Sequence, residues 1–280
     1  MVYKIIGDSC MDLTKELKKD RHFQTVPLTL QVDNTQVIDD ETFDQKSFLN
    51  LVKNSVNCPQ TACPSPEKFK EAYECDADYV FVVTLSQHLS GTYNSAVLGQ
   101  KLYQEEHPDS NKKIHVFNSE SASAGELNIG LYIQSLCQAS LPFEQIVKDT
   151  ENFILSMKTY FVLESLDTLR KNGRLTGLQA FFATALNIKP VMAGDRGVIV
   201  KRDQARGMNK ALKRMEEIAL REAGETKEKV LVIAHCNNLA RAMAVKEDMC
   251  RQNVFKDVII TDTAGVATVY ANDGGIVMAL

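Results

Sequence analysis

Residues 78–85 read Asp-Tyr-Val-Phe-Val-Val-Thr-Leu, and residues 89–95 continue Leu-Ser-Gly-Thr-Tyr-Asn-Ser. The first stretch is apolar without alternation. That is the pattern of a strand covered on both faces, as in a parallel sheet. The second stretch sits where such a strand passes into a helix over Gly91–Glu106. Working outward, Lys113–Asn118 predicts another strand and Ala124–Ala139 another helix. Upstream, Val2–Gly7 is a short apolar run ending at Asp8-Ser9. Strands alternating with helices indicate βαβ units. Asp12-Leu13-Thr14 is expected to open a charged helix, and Gln24–Val32 to form one strand. Phe43–Val56 has helical spacing, and Pro66–Tyr73 follows Ser65, an N-cap with proline at the first helical position. In such a sheet the loops at the carboxyl ends of the strands carry the site: Asp8-Ser9, Ser86–Thr92 and Asn118–Ser123.

The second half differs. Tyr160–Leu166 reads as a strand and residues 178–186 as an apolar helix. A hairpin is expected around Gly194-Asp195-Arg196-Gly197. Met208, Leu212, Met215 and Ala219 form a helical stripe. Val230–Ala234, Val258–Thr263 and Gly275–Leu280 complete the strands, with a helix over Asn237–Arg251. The expected fold is α/β in two domains. Residues 1–155 carry a mostly parallel sheet covered by helices, residues 156–280 a mixed sheet with helices, and a ligand slot lies between them.

The chain has 280 residues, a net charge of −4 and 44% hydrophobic residues. The small acidic excess argues against a nucleic-acid binder, and the apolar fraction against global disorder. No apolar run approaches the roughly 20 residues that span a bilayer. The N-terminus lacks a signal-type stretch, so a cytoplasmic location is expected. Seven cysteines, an odd number without a C-x-x-C pair, argue for free thiols and against a metal site.

Walker, dinucleotide-binding and nucleophile-elbow patterns are all absent. Asp8-Ser9-Cys10 starts like a phosphoaspartyl motif, but Cys10 stands where the second carboxylate belongs. What remains is hydroxyls and glycines at strand ends, around Thr61–Ser65 and Leu89–Ser95. Such groups suit a carboxylate or phosphate, and Ser90 and Thr92 read equally as helix N-caps.

Taken in order, Gly7-Asp8-Ser9 with Asp12-Leu13, Thr61-x-x-Pro64-Ser65, Leu89–Tyr93, Asn118-Ser119, Gly173-Arg174-Leu175 with Lys189-Pro190, and Ala205-Arg206 resemble the DegV family. Leu-Ser-Gly-Thr-Tyr is the most specific block. The resemblance implies two α/β domains with a long-chain fatty acid of the palmitate or stearate class between them, and no other cofactor. It implies a FakB-type subunit that presents the carboxyl group to a separate ATP-using fatty acid kinase subunit, for acyl phosphate formation and phospholipid synthesis. A transient contact with a membrane surface is compatible with that role. The missing nucleotide motifs agree, since ATP would sit on the partner.

By the resemblance, Thr61 and Ser90 hydrogen-bond the fatty acid carboxylate. Asp8, Ser9, Gly91, Thr92 and Ser119 organise the loops around it. Arg174 and Arg206 couple to the kinase. Leu178, Phe181, Phe182 and Leu186 are candidates for the acyl slot. FakB-type members often carry a histidine where Asp262 stands, within Thr261–Gly265. The altered segment suggests a reshaped loop that turns Asp262 to solvent. The competing readings are a stand-alone hydrolase or phosphotransferase using Asp8, Ser9 and Asp12, and a binder of another amphiphilic acid.

Overall fold

The computed structural model describes residues 2–175 and 187–280, so the acyl-slot candidates Leu178, Phe181, Phe182 and Leu186 lie outside the described residues. The chain begins with β1 (Tyr3–Asp8), β2 (Phe23–Val26), β3 (Thr29–Val32) and β4 (Thr35–Ile38). Then come α1 (Gln45–Asn54), β5 (Gln60–Ala62), α2 (Pro66–Tyr73), β6 (Tyr79–Thr84), α3 (Thr92–Glu106) and β7 (Lys113–Asn118). The middle holds α4 (Ala124–Gln138), α5 (Phe143–Ser156), β8 (Thr159–Val162) and α6 (Asp167–Lys171). After the undescribed stretch follow β9 (Ile188–Asp195), β10 (Val198–Arg206), α7 (Met208–Ala223) and β11 (Val230–His235). The chain closes with α8 (Leu239–Gln252), β12 (Asp257–Asp262), α9 (Gly265–Ala271) and β13 (Ile276–Ala279).

The first sheet is fully parallel, in the order β2-β1-β6-β7. Its central strands are buried along nearly their whole length, as their unbroken apolar sequence requires. The second sheet, β10-β9-β8-β13-β11-β12, is mixed, with only β11 and β12 parallel. A small antiparallel sheet, β4-β3-β5, stands apart and carries Thr61 opposite Leu30.

Helix α4 joins the two large sheets. It packs on β1 and β6 of the first and on β11 and β13 of the second. Every residue from Ala124 to Gly130 is buried, the signature of a helix that is apolar nearly all round. Leu127, Ile129 and Ile133 lie in one apolar cluster with Ile5, Phe81, Val232 and Val277. Each such side chain contributes about 1.5–3 kcal/mol by leaving water. Among the described residues no helix is long and apolar enough to cross a membrane.

Three local expectations are corrected. No α-helix opens at Asp12; residues 9–22 instead hold two 3-10 turns, Ser9–Met11 and Leu17–Lys19. Asp12 takes left-handed angles (φ 49°, ψ 49°), and its carboxylate accepts from Ser123 Oγ at 2.5 Å and the Ala264 amide at 2.6 Å. Those distant partners outweigh local helix preference. The run Gln24–Val32 is not one strand but two, in different sheets. Pro27 separates them and has no N–H to give a ladder. Finally, the reshaped loop expected at Ala264-Gly265-Val266 ends at Ala264, because Gly265 and Val266 already open α9. Asp39 accepts from the Gly265 and Val266 amides at 2.6 and 2.8 Å, satisfying two N–H groups that a helix start leaves free.

Candidate ligand slot

A slot with about 860 Å³ of unfilled space, open solvent at its mouth included, lies between the first and second sheets. Its wall is almost entirely apolar. Leu85, Leu89 and Ala122 come from the loops after β6 and β7, Phe161 and Val277 from the second sheet, and Leu163 from just past β8. The β9–β10 hairpin closes one side with Gly194, Gly197, Val198 and Ile199. Gly197 has φ +78°, and a Cβ there would stand 2.5 Å from Ser86 Oγ. The Ser86 hydroxyl donates to the Gly197 carbonyl at 2.8 Å, so the hairpin turn is pinned against the first sheet.

Polar side chains also stand on this wall, Glu120, Ser121, Ser123 and Thr159 among them, and one group of them is linked by direct contacts. Thr61 Oγ1 and Tyr270 OH are hydrogen-bonded at 2.9 Å. The Arg174 guanidinium lies 5.9 Å from the centre of the Tyr270 ring, a cation–π distance. Its Nε donates to the Leu89 carbonyl at 3.1 Å, and Nη1 to the Asn172 carbonyl. Ser90 follows Leu89 and shares a 2.7 Å hydrogen bond with Thr92 Oγ1. Its Oγ also accepts from the Thr92 amide at 3.3 Å; the N-cap of α3 is Gly91, so neither Ser90 nor Thr92 takes the cap position expected from the sequence. Three hydroxyls and a guanidinium thus border one region of an apolar cavity. That chemistry suits an anionic or strongly polar head on an apolar chain.

Among the described residues, the other sequence candidates do not line the slot. Asp8 is fully buried and accepts from the Cys10 and Leu85 amides at 2.9 and 2.7 Å. Ser9 Oγ accepts from the Leu28 amide at 3.1 Å. Ser119 Oγ donates to the Ser121 carbonyl and accepts from its amide, shaping the loop after β7. Thr92 is buried at the start of α3, and Gly91 faces Cys63, whose Sγ would be 3.3 Å from an added Cβ. Arg206 is exposed at the end of β10, opposite Ile188. Asp262 is 62% exposed, 3.6 Å from the Nδ1 of buried His235, and borders a separate groove. Burial holds His235 below its ordinary pKa, against the pull of Asp262.

Behind the slot lies a buried acid cluster. Burial raises Asp8 to about 6 and Asp12 to about 8, in both cases against hydrogen bonds from backbone amides, with the Ser123 hydroxyl adding to Asp12. Burial likewise raises Asp39, and pushes Glu126 well up with help from the Asp8 and Asp12 charges. Neither Glu126 oxygen has a hydrogen-bond partner. Asp8, Ser9 and Asp12 are occupied in tying loops together, and none opens to the slot. Among the described residues, three ligating side chains converge at Glu74, Glu106 and His107. These are at the surface, in ion pairs with one another or with Lys70.

Sequence reasoning missed Tyr270. It lies in Val-Ala-Thr-Val-Tyr, a run with no motif, and it reaches the slot because α9 forms and is held by Asp39 and Asp12.

Comparison with known proteins bears on these features. A DegV domain-containing protein of Streptococcus gordonii is 34% identical over 99% of this chain and 98% of its own. A DegV family protein of Ruminococcus gnavus, whose crystal structure was refined with vaccenic acid, is 48% identical at TM-score 0.96, covering 99% of both chains. A DegV family protein of Eubacterium eligens loaded with heptadecanoic acid is 29% identical at TM-score 0.90, covering 99% of this chain and 98% of its own. The Streptococcus pneumoniae fatty acid kinase (Fak) B3 protein loaded with linoleic acid is 31% identical at TM-score 0.88, covering 100% of this chain and 99% of its own. The DegV family profile itself matches residues 3–279, and with the slot, the parallel and mixed sheets and the motifs around them, the chain belongs to the DegV family.

Proposed function

We propose that this protein binds a long-chain fatty acid in the slot and presents its carboxyl group to a separate ATP-using kinase subunit, which forms the acyl phosphate. The observation that carries the reading is the slot itself: a largely apolar wall that includes Thr61, Ser90, Tyr270 and Arg174. Relatives crystallised with vaccenic, heptadecanoic and linoleic acids support it, and one of these relatives is a fatty acid kinase protein. Burial of a chain of about 16 carbons gains roughly 0.8 kcal/mol per methylene, on the order of 10 kcal/mol before ordering costs. That favours an enclosed slot over a surface groove.

In this reading the Thr61 and Ser90 hydroxyls donate to the carboxylate. Neutral donors hold an anionic head and tolerate the mixed anhydride that replaces it. Arg174 offsets the charge of the incoming phosphoryl group or docks the kinase, and Arg206, exposed on the hairpin, serves the partner contact. Gentle denaturation of the purified protein followed by mass spectrometry tests the first half. A copurified fatty acid is expected; an empty protein that turns over model esters would sink the reading. For the second half, Arg174→Ala is expected to keep lipid binding while impairing acyl phosphate formation with a fatty acid kinase subunit. Equal loss of both would place Arg174 in lipid binding instead.

A further inference from the structure

The Asp262 side chain is exposed and borders a different groove. The donor from the C-terminal segment that does reach the slot is Tyr270. Its placement is specified from several directions. The start of α9 is fixed by the Asp39 carboxylate on two backbone amides and by Asp12 on a third. Gly265 lies close against Asp39 and Leu30, and an added Cβ would stand 2.6 Å from both Asp39 Oδ1 and Leu30 Cδ1. The Tyr270 ring is bordered by the Arg174 guanidinium. Its hydroxyl meets Thr61 Oγ1 at 2.9 Å.

A threonine hydroxyl has one hydrogen and two acceptor sites. If Tyr270 O–H occupies one acceptor site, the single Thr61 hydrogen is free to point elsewhere. We propose that Tyr270 is the positioning residue of the carboxylate site: it donates to Thr61 Oγ1, and so turns the Thr61 hydrogen onto the ligand carboxylate. The inference rests on the fatty-acid reading above. It assigns to a tyrosine, acting through Thr61, the selectivity of this chain for an ionised head group over its neutral ester. A carboxylate accepts the Thr61 hydrogen as a charge-assisted bond, whereas an ester carbonyl accepts it only weakly.

The test uses the full-length protein stripped of lipid, with oleic acid and methyl oleate as probes, and the variants Tyr270→Phe, Thr61→Val and their combination. Tyr270→Phe keeps the ring and its packing against Arg174. It is expected to weaken oleic acid binding about fivefold to tenfold, leave methyl oleate within about twofold, and add no further loss in the Thr61→Val background. Wild-type affinity for oleic acid in Tyr270→Phe would overturn the proposal while leaving the fatty-acid reading in place. Equal losses for acid and ester would reduce Tyr270 to a packing residue, and additive losses in the double variant would sever it from Thr61. A wild-type protein that binds neither probe would overturn the fatty-acid reading, and this inference with it.

Discussion

Replacing Asp12 by Asn should change how stability depends on pH more than stability itself. Burial pushes the Asp12 carboxyl from 3.8 to about 8, although Ser123 and Ala264 hydrogen-bond to it. The folded protein therefore holds a proton that the unfolded chain gives up near pH 4. Stability from this group is whole below about pH 4 and is lost as pH rises towards 8. The slope is about 1.4 kcal/mol per pH unit, which sets a ceiling on the order of 5 kcal/mol. Relaxation and water entry around a newly charged group bring the observable loss to roughly 2–4 kcal/mol. An asparagine reproduces the protonated carboxyl. Its Oδ1 accepts from the Ala264 amide and its Nδ2 donates to Ser123 Oγ. At pH 5 the variant should lie within about 1 kcal/mol of the wild type, the scale of one neutral hydrogen bond. At pH 9 it should be the more stable of the two by roughly 2–4 kcal/mol. Urea unfolding across pH 5–9 reads this directly. Asp8, Asp39 and Glu126 also sit above their ordinary values, so both proteins lose stability as pH rises. The difference between the curves reports Asp12 together with its charge coupling to Glu126 and Asp39, and parallel curves would refute the reasoning.

Three further substitutions probe the slot. Gly197→Ala combines a left-handed backbone with a Cβ placed 2.5 Å from Ser86 Oγ; strain of about 1–2 kcal/mol and loss of the Ser86 hydrogen bond at about 1 kcal/mol should lower Tm by roughly 5–10 °C. A melting curve that does not move would show that the hairpin is not pinned there. Ser90→Ala should weaken fatty acid binding about tenfold, the cost of a hydrogen bond to a charged group, with little change in the melting of the lipid-free protein; normal retention of lipid would leave Ser90 with its local bonds to Thr92 alone. Asp262→Asn should alter fatty acid affinity by less than about threefold, roughly 0.6 kcal/mol or less, because the side chain is exposed. A complex that is much tighter in the variant, increasingly so as pH rises through carboxylate ionisation, would put Asp262 against the ligand.

The unbroken apolar run of β6, the helix signals around Pro66 and the hydroxyls of Leu89–Tyr93 were legible in the sequence because each is a local property. An apolar strand without alternation must be covered on both faces. A proline at a first helical turn loses nothing it would have used. Thr61, Ser90 and Arg174 were singled out through ordered motifs, and the slot wall includes all three. Tertiary structure decided the rest, because the controlling partners lie far away along the chain. Asp12 abandons helix geometry for an amide 252 residues distant. The run Gln24–Val32 divides at Pro27, and each half finds its own sheet through pairings that periodicity does not name. Helix α9 forms because Asp39, over 200 residues upstream, satisfies its first amides, and only then does Tyr270 arrive beside Thr61. Local pattern tells which faces are buried and which turns are permitted, whereas the identity of the partner on the other side depends on packing that no short window of sequence contains.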